Sequence, residues 1–167
     1  EDIKRQGIDI MVAIDVSQSM LAEDIKPSRL ERAKRKVYDL CRMLEGDRIG
    51  LIAFAGTSFI QCPLTLDYGA FQMFLDYLEP QLIPVPGTAI GQAISTAITS
   101  FSRTERTSKA LIIITDGEDH EGAPYLDTAV FPLAFFHDNG DWGFLQWESQ
   151  EEKDTSVKVL KNTINIT

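Results

Sequence analysis

The stretch IDIMVAIDVSQS, residues 8–19, decides the fold that the rest of the chain must fit. Its first eight residues form a nearly continuous apolar run that ends in an acid, Asp15, and this pattern is typical of a parallel strand covered on both faces. Two hydroxyl residues, Ser17 and Ser19, follow at alternating positions. The sequence therefore predicts a buried strand with a carboxylate and two hydroxyls at its carboxyl end.

The chain beyond this strand alternates between helical and extended patterns. Ser28 and Glu31 stand at capping-box spacing and predict the start of a helix that ends before Gly46. Residues 48–55 predict a second buried strand, and residues 59–62 follow it too closely for a parallel connection, so this pair is predicted to be an antiparallel hairpin. The apolar face of the first helix is predicted to hold Leu30, Ala33, Val37, Leu40, Cys41 and Leu44.

Two further helices and one strand complete the pattern. Asp67 is predicted to cap a helix that ends at Pro80, and Thr88 is predicted to begin another after the proline-rich loop 81–87. Residues 109–116 predict a central strand, and the whole pattern indicates an α/β fold. We expect an open, doubly wound, mostly parallel sheet with helices on both faces and one short antiparallel edge strand. The inward residues are predicted to be Phe71, Phe74, Leu75 and Leu78 in the first of these helices, and Ile90, Ala93, Ile94, Ala97, Ile98 and Phe101 in the second.

Composition excludes several classes of function. A formal net charge of −9 and a pI of about 4.7 argue against a nucleic-acid partner, because phosphate binding needs a basic surface. No apolar run approaches the ~20 residues of a membrane span, so no direct insertion into a membrane is expected from this segment. Cys41 and Cys62 form no metal-ligand pattern with the two histidines, and Cys41 is predicted to be a buried, inert thiol. A solvated helix surface is predicted for Arg32, Arg35, Lys36 and Arg42.

Hydroxyls and acids collect at the predicted carboxyl ends of the strands. Asp15 and Asp116 close two of them, and both carboxylates face one crevice if those strands are neighbours. Ser17, Ser19 and Thr88 supply hydroxyls, and such oxygens are the hard ligands that suit Mg²⁺ or a similar ion. The alternative interpretation is that Ser17, Ser19 and Thr88 are helix caps and loop hydroxyls, with Asp15 and Asp116 solvated at strand ends.

These residues carry a resemblance to a known family. Asp15-Val-Ser17-Gln-Ser19, Thr88 after Gly87, and Thr115-Asp116-Gly117 resemble the metal-ion-dependent adhesion site of von Willebrand factor type A (VWA) domains. The resemblance covers about residues 8–122. The stretches RLERAK, DRIGLIAFAG, PLTLDYGAF, GTAIGQAI and ITDGEDH are most similar to the bacterial aerotolerance-operon group of the family.

The resemblance implies a Rossmann-like fold and a set of roles for the site residues. Ser17, Ser19 and Thr88 would bind the ion directly, while Asp15 and Asp116 would hold metal-bound water or orient the hydroxyls. The ion would be Mg²⁺, or Mn²⁺ or Ca²⁺, and an Asp or Glu of a partner protein would complete its ligand shell. The resemblance also implies a domain that is not an enzyme and that is tethered to the bacterial inner membrane by segments outside it.

Two other functions stay open at this point. A Mg²⁺-dependent phosphohydrolase would also place a nucleophile where Asp15 stands, although its usual second acid is replaced by Ser17 and Lys109 falls at the wrong end of its strand. A structural domain that has kept the fold without the metal function is the other alternative. Measurements of metal binding and of phosphatase activity distinguish the metal-dependent interaction module, the phosphohydrolase and the structural domain.

The C-terminal segment departs from the family pattern. The domain core is predicted at residues 1–122, and residues 123–167 form a divergent tail, which we expect to pack on the same domain. The stretch 129–134 contains Pro132 and suits a central strand badly. The tail is either a divergent cap or the product of a truncated or frameshifted reading frame. Other expectations are short strands at 157–159 and 164–166, a turn at Gly140, and a polar loop or cation-enriching cluster at Glu118, Asp119, His120 and Glu121.

Overall fold

The computed structural model describes residues 7–101 and 108–116, together with the backbone of three further strands. Seven strands form one sheet in the order β3-β2-β1-β4-β5-β6-β7, in which β2, β1, β4 and β5 are parallel to each other. The strands β3, β6 and β7 pair antiparallel with their neighbours. The mostly parallel, open sheet that the sequence predicts is therefore confirmed. The strands are β1 (Asp9–Asp15), β2 (Arg48–Phe54), β3 (Ser58–Thr65), β4 (Lys109–Ile114), β5 (Leu133–Phe136), β6 (Trp142–Leu145) and β7 (Val159–Leu160), and the helices are α1 (Arg29–Met43), α2 (Tyr68–Asp76) and α3 (Ile90–Phe101).

Helices cover both faces of the sheet, and β1 lies between them. Every residue of β1 is buried. Because successive side chains of a strand point to opposite faces, Val12 and Ile14 pack with α1 and α2, whereas Met11 and Ala13 pack with α3. This double coverage explains why the first strand is a nearly continuous apolar run.

The helix starts follow the polar residues that the sequence marks. The Ser28 hydroxyl accepts a hydrogen bond from the Glu31 amide at 3.2 Å, and the Asp67 carboxylate accepts one from the Ala70 amide at 2.9 Å. The apolar faces of the three helices are mostly confirmed, with one correction. Phe74 was predicted to point inward but is 44% exposed, because it lies at the border of the α2 face that Phe71, Leu75 and Leu78 fill.

The third helix begins at Ile90, two residues after the predicted start at Thr88. Each of the two cysteines is a buried free thiol. Burial raises the pKa of Cys41 to about 11, which fits the prediction of an inert thiol. Among the described residues, no helix has the length and apolarity that crossing a membrane requires.

The sheet continues beyond β4, where the sequence pattern is weakest. The strand β5 is parallel to β4 and occupies an interior position in the sheet, and it overlaps the stretch 129–134 only at Leu133 and Ala134. The proline does not interrupt the ladder, because the strand begins at Leu133, directly after Pro132. The predicted strand at 157–159 overlaps β7 at Val159 alone. The predicted strand at 164–166 and the turn at Gly140 lie outside the described residues, and the division of the chain at residue 122 stays a prediction.

Candidate metal centre

The carboxyl ends of β1 and β4 meet at one edge of the sheet. The two strands are parallel neighbours, with Asp9 opposite Lys109 and Ile14 opposite Ile114. Asp15 is the last residue of β1, and Thr115 and Asp116 directly follow β4. The sequence prediction that these two acids face one crevice depended on this adjacency, and the adjacency is present.

The Asp15 carboxylate is buried and held by two hydrogen bonds. Its Oδ1 accepts from the Ser17 amide at 2.8 Å, and its Oδ2 accepts from the Thr115 hydroxyl at 2.7 Å. Desolvation raises the pKa of Asp15, and the nearby charge of Asp116 adds to the rise, although the hydrogen bonds from Thr115 and Ser17 oppose it. Burial therefore disfavours the ionised form of Asp15, and a neighbouring cation would favour it.

The two serine hydroxyls stand side by side. Ser17 Oγ lies 2.9 Å from Ser19 Oγ, while Val16 and Met20 are buried and Gln18 is exposed. This is the alternation that the sequence predicts. Ser17 precedes a short 3-10 helix (Gln18–Leu21), yet among the described residues its side chain makes no capping hydrogen bond. Ser17 is the N-cap residue by position, but its hydroxyl does not cap this helix.

Asp116 joins this loop to the opposite strand. Its side chain is only 5% exposed, and Oδ1 accepts a hydrogen bond from the Ser19 hydroxyl at 3.0 Å. The other oxygen, Oδ2, accepts from Nη1 of Arg29 at 2.5 Å. The Arg29 guanidinium also donates to both carboxylate oxygens of Asp24, from Nε at 2.9 Å and from Nη2 at 2.7 Å. A basic side chain is therefore part of the site.

Arg29 is a site residue that the sequence pattern does not predict directly, although one signal in the sequence points to it. Arg29 is the first residue of α1, where the positive end of the helix dipole disfavours a cation. A basic residue at that position gains nothing from the dipole of its own helix, so it is expected to pair with an acid outside the helix. The acids that it finds are Asp24 and Asp116.

Thr88 reaches the same edge of the sheet by a separate route. The Ala89 amide donates to the Ala55 carbonyl at 2.6 Å, directly after β2, and β2 is the neighbour of β1. Gly87 has a φ of 128°, a conformation that favours glycine, and it makes the turn before Thr88. Thr88 is 7% exposed, and within residues 7–101 and 108–116 its hydroxyl forms no hydrogen bond.

A close backbone contact holds the loop that carries Thr88. The Gly56 amide donates to the Val85 carbonyl at 2.9 Å. A Cβ at Gly56 would lie 2.7 Å from Val85 Cγ1 and 2.8 Å from the Val85 carbonyl oxygen, so only glycine allows this approach without a shift. Hydrogen bonds thus connect Asp15, Ser17, Ser19 and Asp116 into one chain, and Thr88 stands one strand away at the same edge.

The chemistry of these side chains suits a hard divalent ion. Three hydroxyls and two carboxylates offer oxygen alone, as Mg²⁺ prefers, and the buried Thr88 hydroxyl is available for a ligand within the described part of the chain. Among the described residues, no group of three or more His, Cys, Asp or Glu side chains is placed so that it could hold a metal ion. The predicted contributions of Glu118, Asp119, His120 and Glu121 lie outside the described residues.

Comparison with known proteins places this chain in a family. Residues 10–118 match the family model of the von Willebrand factor type A domain. The chain belongs to this family. Similar solved structures include BatB from Bacteroides thetaiotaomicron, with 37% identity, a TM-score of 0.74, and coverage of 95% of this chain and 82% of that chain. An aerotolerance-related membrane protein from Bacteroides fragilis has 37% identity, a TM-score of 0.73, and coverage of 95% and 83%.

The curated relatives of this VWA domain are longer proteins. A UPF0353 protein of Mycolicibacterium paratuberculosis is 38% identical over 103 residues, which are 61% of this chain and 30% of that protein. The chain spans about a third of the length of the curated relatives that it matches. The resemblance to the aerotolerance group is therefore confirmed, and VWA domains are a family of protein-interaction modules.

Proposed function

We propose that this VWA domain binds one divalent cation and, through it, a carboxylate of a partner protein. Ser17, Ser19 and Thr88 bind the ion directly, and Asp15 and Asp116 act through metal-bound water or orient the hydroxyls. The ion is Mg²⁺, with Mn²⁺ or Ca²⁺ as alternatives. The observation that carries the proposal is the adjacent pair of serine hydroxyls, 2.9 Å apart, held against Asp116.

The hydrogen-bond directions support the direct role of the serines. Ser19 gives its proton to Asp116, so Ser17 is the donor in the serine pair, which leaves one lone pair of Ser19 and the lone pairs of Ser17 for a cation. The side chain of Ser17 has no capping role that competes with a ligand among the described residues. Asp15 uses both oxygens to position the Ser17 amide and the Thr115 hydroxyl, as an orienting acid does.

Charge explains why the partner group is an acid. Hydroxyl ligands are neutral, so a bound ion retains a large part of its positive charge and supplies an electrostatic site for an anionic oxygen. The chain itself has a formal net charge of −9 and would repel an acidic partner. We therefore expect partner binding to require the ion and to be lost in EDTA.

The position of Asp15 weighs against the rival phosphohydrolase. A nucleophilic carboxylate needs a free oxygen facing the substrate, whereas Asp15 is 0% exposed and both its oxygens accept hydrogen bonds. Lys109 begins β4 and therefore lies at the opposite edge of the sheet. We propose an interaction module without catalytic activity. Turnover of an aryl phosphate that disappears in Asp15→Asn would favour the phosphohydrolase instead.

Calorimetric titration of Mn²⁺ and Mg²⁺ into the chain tests the metal site. We expect Ser17→Ala to weaken metal binding about tenfold or more with little change in the melting temperature in EDTA, because the contacts of its hydroxyl, with Ser19 and Asp15, lie within the site itself. Gln18→Ala is the matched control, since Gln18 is exposed and lies between the two serines. A hundredfold excess of metal over its dissociation constant should stabilise the wild-type fold by about 2.7 kcal/mol.

Two results would contradict the proposal. Equal metal affinity in Ser17→Ala and the wild type would remove the serine pair from the site. Cooperative melting that does not respond to Mg²⁺, Mn²⁺ or Ca²⁺ would favour a structural domain that lacks the metal function.

The relatives also suggest where the domain works. We propose that it belongs to a protein held at the bacterial inner membrane by segments outside this chain, because similar structures come from proteins named as membrane proteins. Fractionation of the full-length protein in its host tests this point. Recovery in the soluble fraction alone would contradict it.

A further inference from the structure

We propose that Arg29 is a positive charge that Asp24 holds beside the site. It neutralises Asp116 in the absence of metal and lowers the affinity of the site for a divalent ion. This inference rests on the proposed metal function. It concerns a residue outside the predicted ligand set and follows from the way that one guanidinium is divided between two acids.

The two buried acids at this edge of the sheet need a positive charge nearby. Asp116 has a side chain that is only 5% exposed, and the Asp15 carboxylate is buried nearby. Two acids in so little water repel each other, and each pays a desolvation cost when ionised. Arg29 meets this need with Nη1, which donates to Asp116 Oδ2 at 2.5 Å.

Arg29 can release Asp116 without losing every partner. Its Nε and Nη2 stay on the two oxygens of Asp24, whose side chain is 51% exposed, and the Arg29 side chain is itself 25% exposed. The loss of one hydrogen bond costs little free energy for a guanidinium that keeps an acid partner and contact with water. The contact with Asp116 is therefore exchangeable, and Asp24 is the tether that holds the guanidinium when the contact opens.

A bound divalent ion and the Arg29 guanidinium would compete for the Asp116 carboxylate. A divalent ion beside Ser17 and Ser19 would attract Asp116 and repel the guanidinium, because like charges at short range in a partly buried site interact strongly. Arg29 and the ion thus contend for one carboxylate. Removal of Arg29 should strengthen metal binding, although it weakens the metal-free fold.

The experiment compares Arg29→Gln with Arg32→Gln in the full chain. Arg32 lies on the exposed side of the same helix and undergoes the same change of charge. We expect Mn²⁺ to bind Arg29→Gln about tenfold more tightly than the wild type by calorimetry, while the melting temperature in EDTA falls. Arg32→Gln should leave both quantities unchanged. A purely structural Arg29 would lower stability and affinity together, so an unchanged or weaker affinity in Arg29→Gln overturns the inference.

A second variant keeps the test decisive if Arg29→Gln does not fold. Asp24→Asn removes the tether from an exposed position, so Arg29 depends more on Asp116 and yields less readily to the ion. We expect metal affinity to fall severalfold, whereas Glu23→Gln, an adjacent exposed acid that pairs with Lys26, should bind metal as the wild type does. Equal affinities in Asp24→Asn and Glu23→Gln overturn the inference. Failure of the wild-type chain to bind Mn²⁺ would instead defeat the proposed function itself.

Discussion

The two edges of the sheet each hold an acid paired with an arginine, and the pairs are built differently. At the amino edge, where the parallel strands begin, Arg48 donates from Nε and Nη2 to the two oxygens of Asp9, at 2.7 and 2.8 Å, and Asp9 is 0% exposed. At the carboxyl edge, the guanidinium of Arg29 is divided between Asp24 and Asp116. We call the first pair closed, because two nitrogens of one guanidinium donate to the two oxygens of a single carboxylate.

The difference shows which acid–arginine pair has a structural role and which can serve a ligand. A closed, bidentate pair satisfies the buried acid fully, and nothing is gained by exchanging the arginine for another cation. The divided pair gives Asp116 one arginine bond and one serine bond, and both come from groups with a second partner. Asp116 can therefore change partners at small cost, as a group near an exchangeable ion must.

The largest expected effect is at the closed pair. Arg48→Met keeps the apolar stem of the side chain but removes the bidentate guanidinium from the buried Asp9 carboxylate. Because removing one partner of a buried ion pair is strongly destabilising, we expect a loss of about 3 kcal/mol in the free energy of unfolding, measured by urea denaturation. Metal affinity should not change in the folded fraction, since the pair lies about 20 Å from the serine loop, the length of the seven-residue strand β1.

That comparison fails if Arg48→Met alters metal affinity as much as stability. The two edges would then be coupled, and the assignment of a purely structural role to the Asp9 pair would be wrong.

The next effect comes from the backbone contact that holds Thr88 at the carboxyl edge. Gly56→Ala would force the Val85 loop away from β2, and we expect a loss of about 2 kcal/mol together with severalfold weaker metal binding. Gly69→Ala is the matched control, because its Cβ would meet only Asp67 Oδ1 at an ordinary 3.5 Å. In α2 that change should leave stability equal or raise it by up to about 1 kcal/mol.

A loss of stability in Gly56→Ala with wild-type metal affinity would separate the Thr88 loop from the site. The ion would then depend on Ser17, Ser19 and the two acids alone, and the role of Thr88 as a direct ligand would have to be abandoned.

The features that the sequence could predict are those set by local patterns. The apolar run of β1 and the alternation of Asp15, Ser17 and Ser19 are local patterns, so the buried strand and the hydroxyl pair follow from short-range spacing. The capping residues Ser28 and Asp67 are equally local, and both are confirmed.

The features that could not be predicted depend on contacts between distant elements. The reach of Arg29 to Asp116 spans 87 positions, and no periodicity in α1 encodes it. The position of β5 is set by pairing with β4, a contact between distant segments that the sequence around Pro132 does not indicate. Phe74 satisfies the helical spacing of the apolar face but lies at its margin, where packing of the neighbouring elements decides exposure.

The smallest effect, and the most direct view of the divided pair, is the titration of Asp24. Hydrogen bonds from Arg29 hold the pKa of Asp24 below its usual value of about 3.9. A lowered pKa means that the interaction stabilises the fold above that usual value and is lost as the pH falls through the lowered one. We expect carboxyl NMR titration to show this low value in the wild type and a return to the usual range in Arg29→Gln.

Mg²⁺ gives this titration a further use, because a guanidinium released from Asp116 would rest on Asp24 alone. Saturation with Mg²⁺ should then lower the pKa of Asp24 further in the wild type and leave that of Arg29→Gln unaffected. An Asp24 pKa that Mg²⁺ does not move would mean that Arg29 keeps Asp116 in the metal-bound domain. In that case the pair at the carboxyl edge would be as closed as the pair at the amino edge, and competition could not explain the affinity of the site.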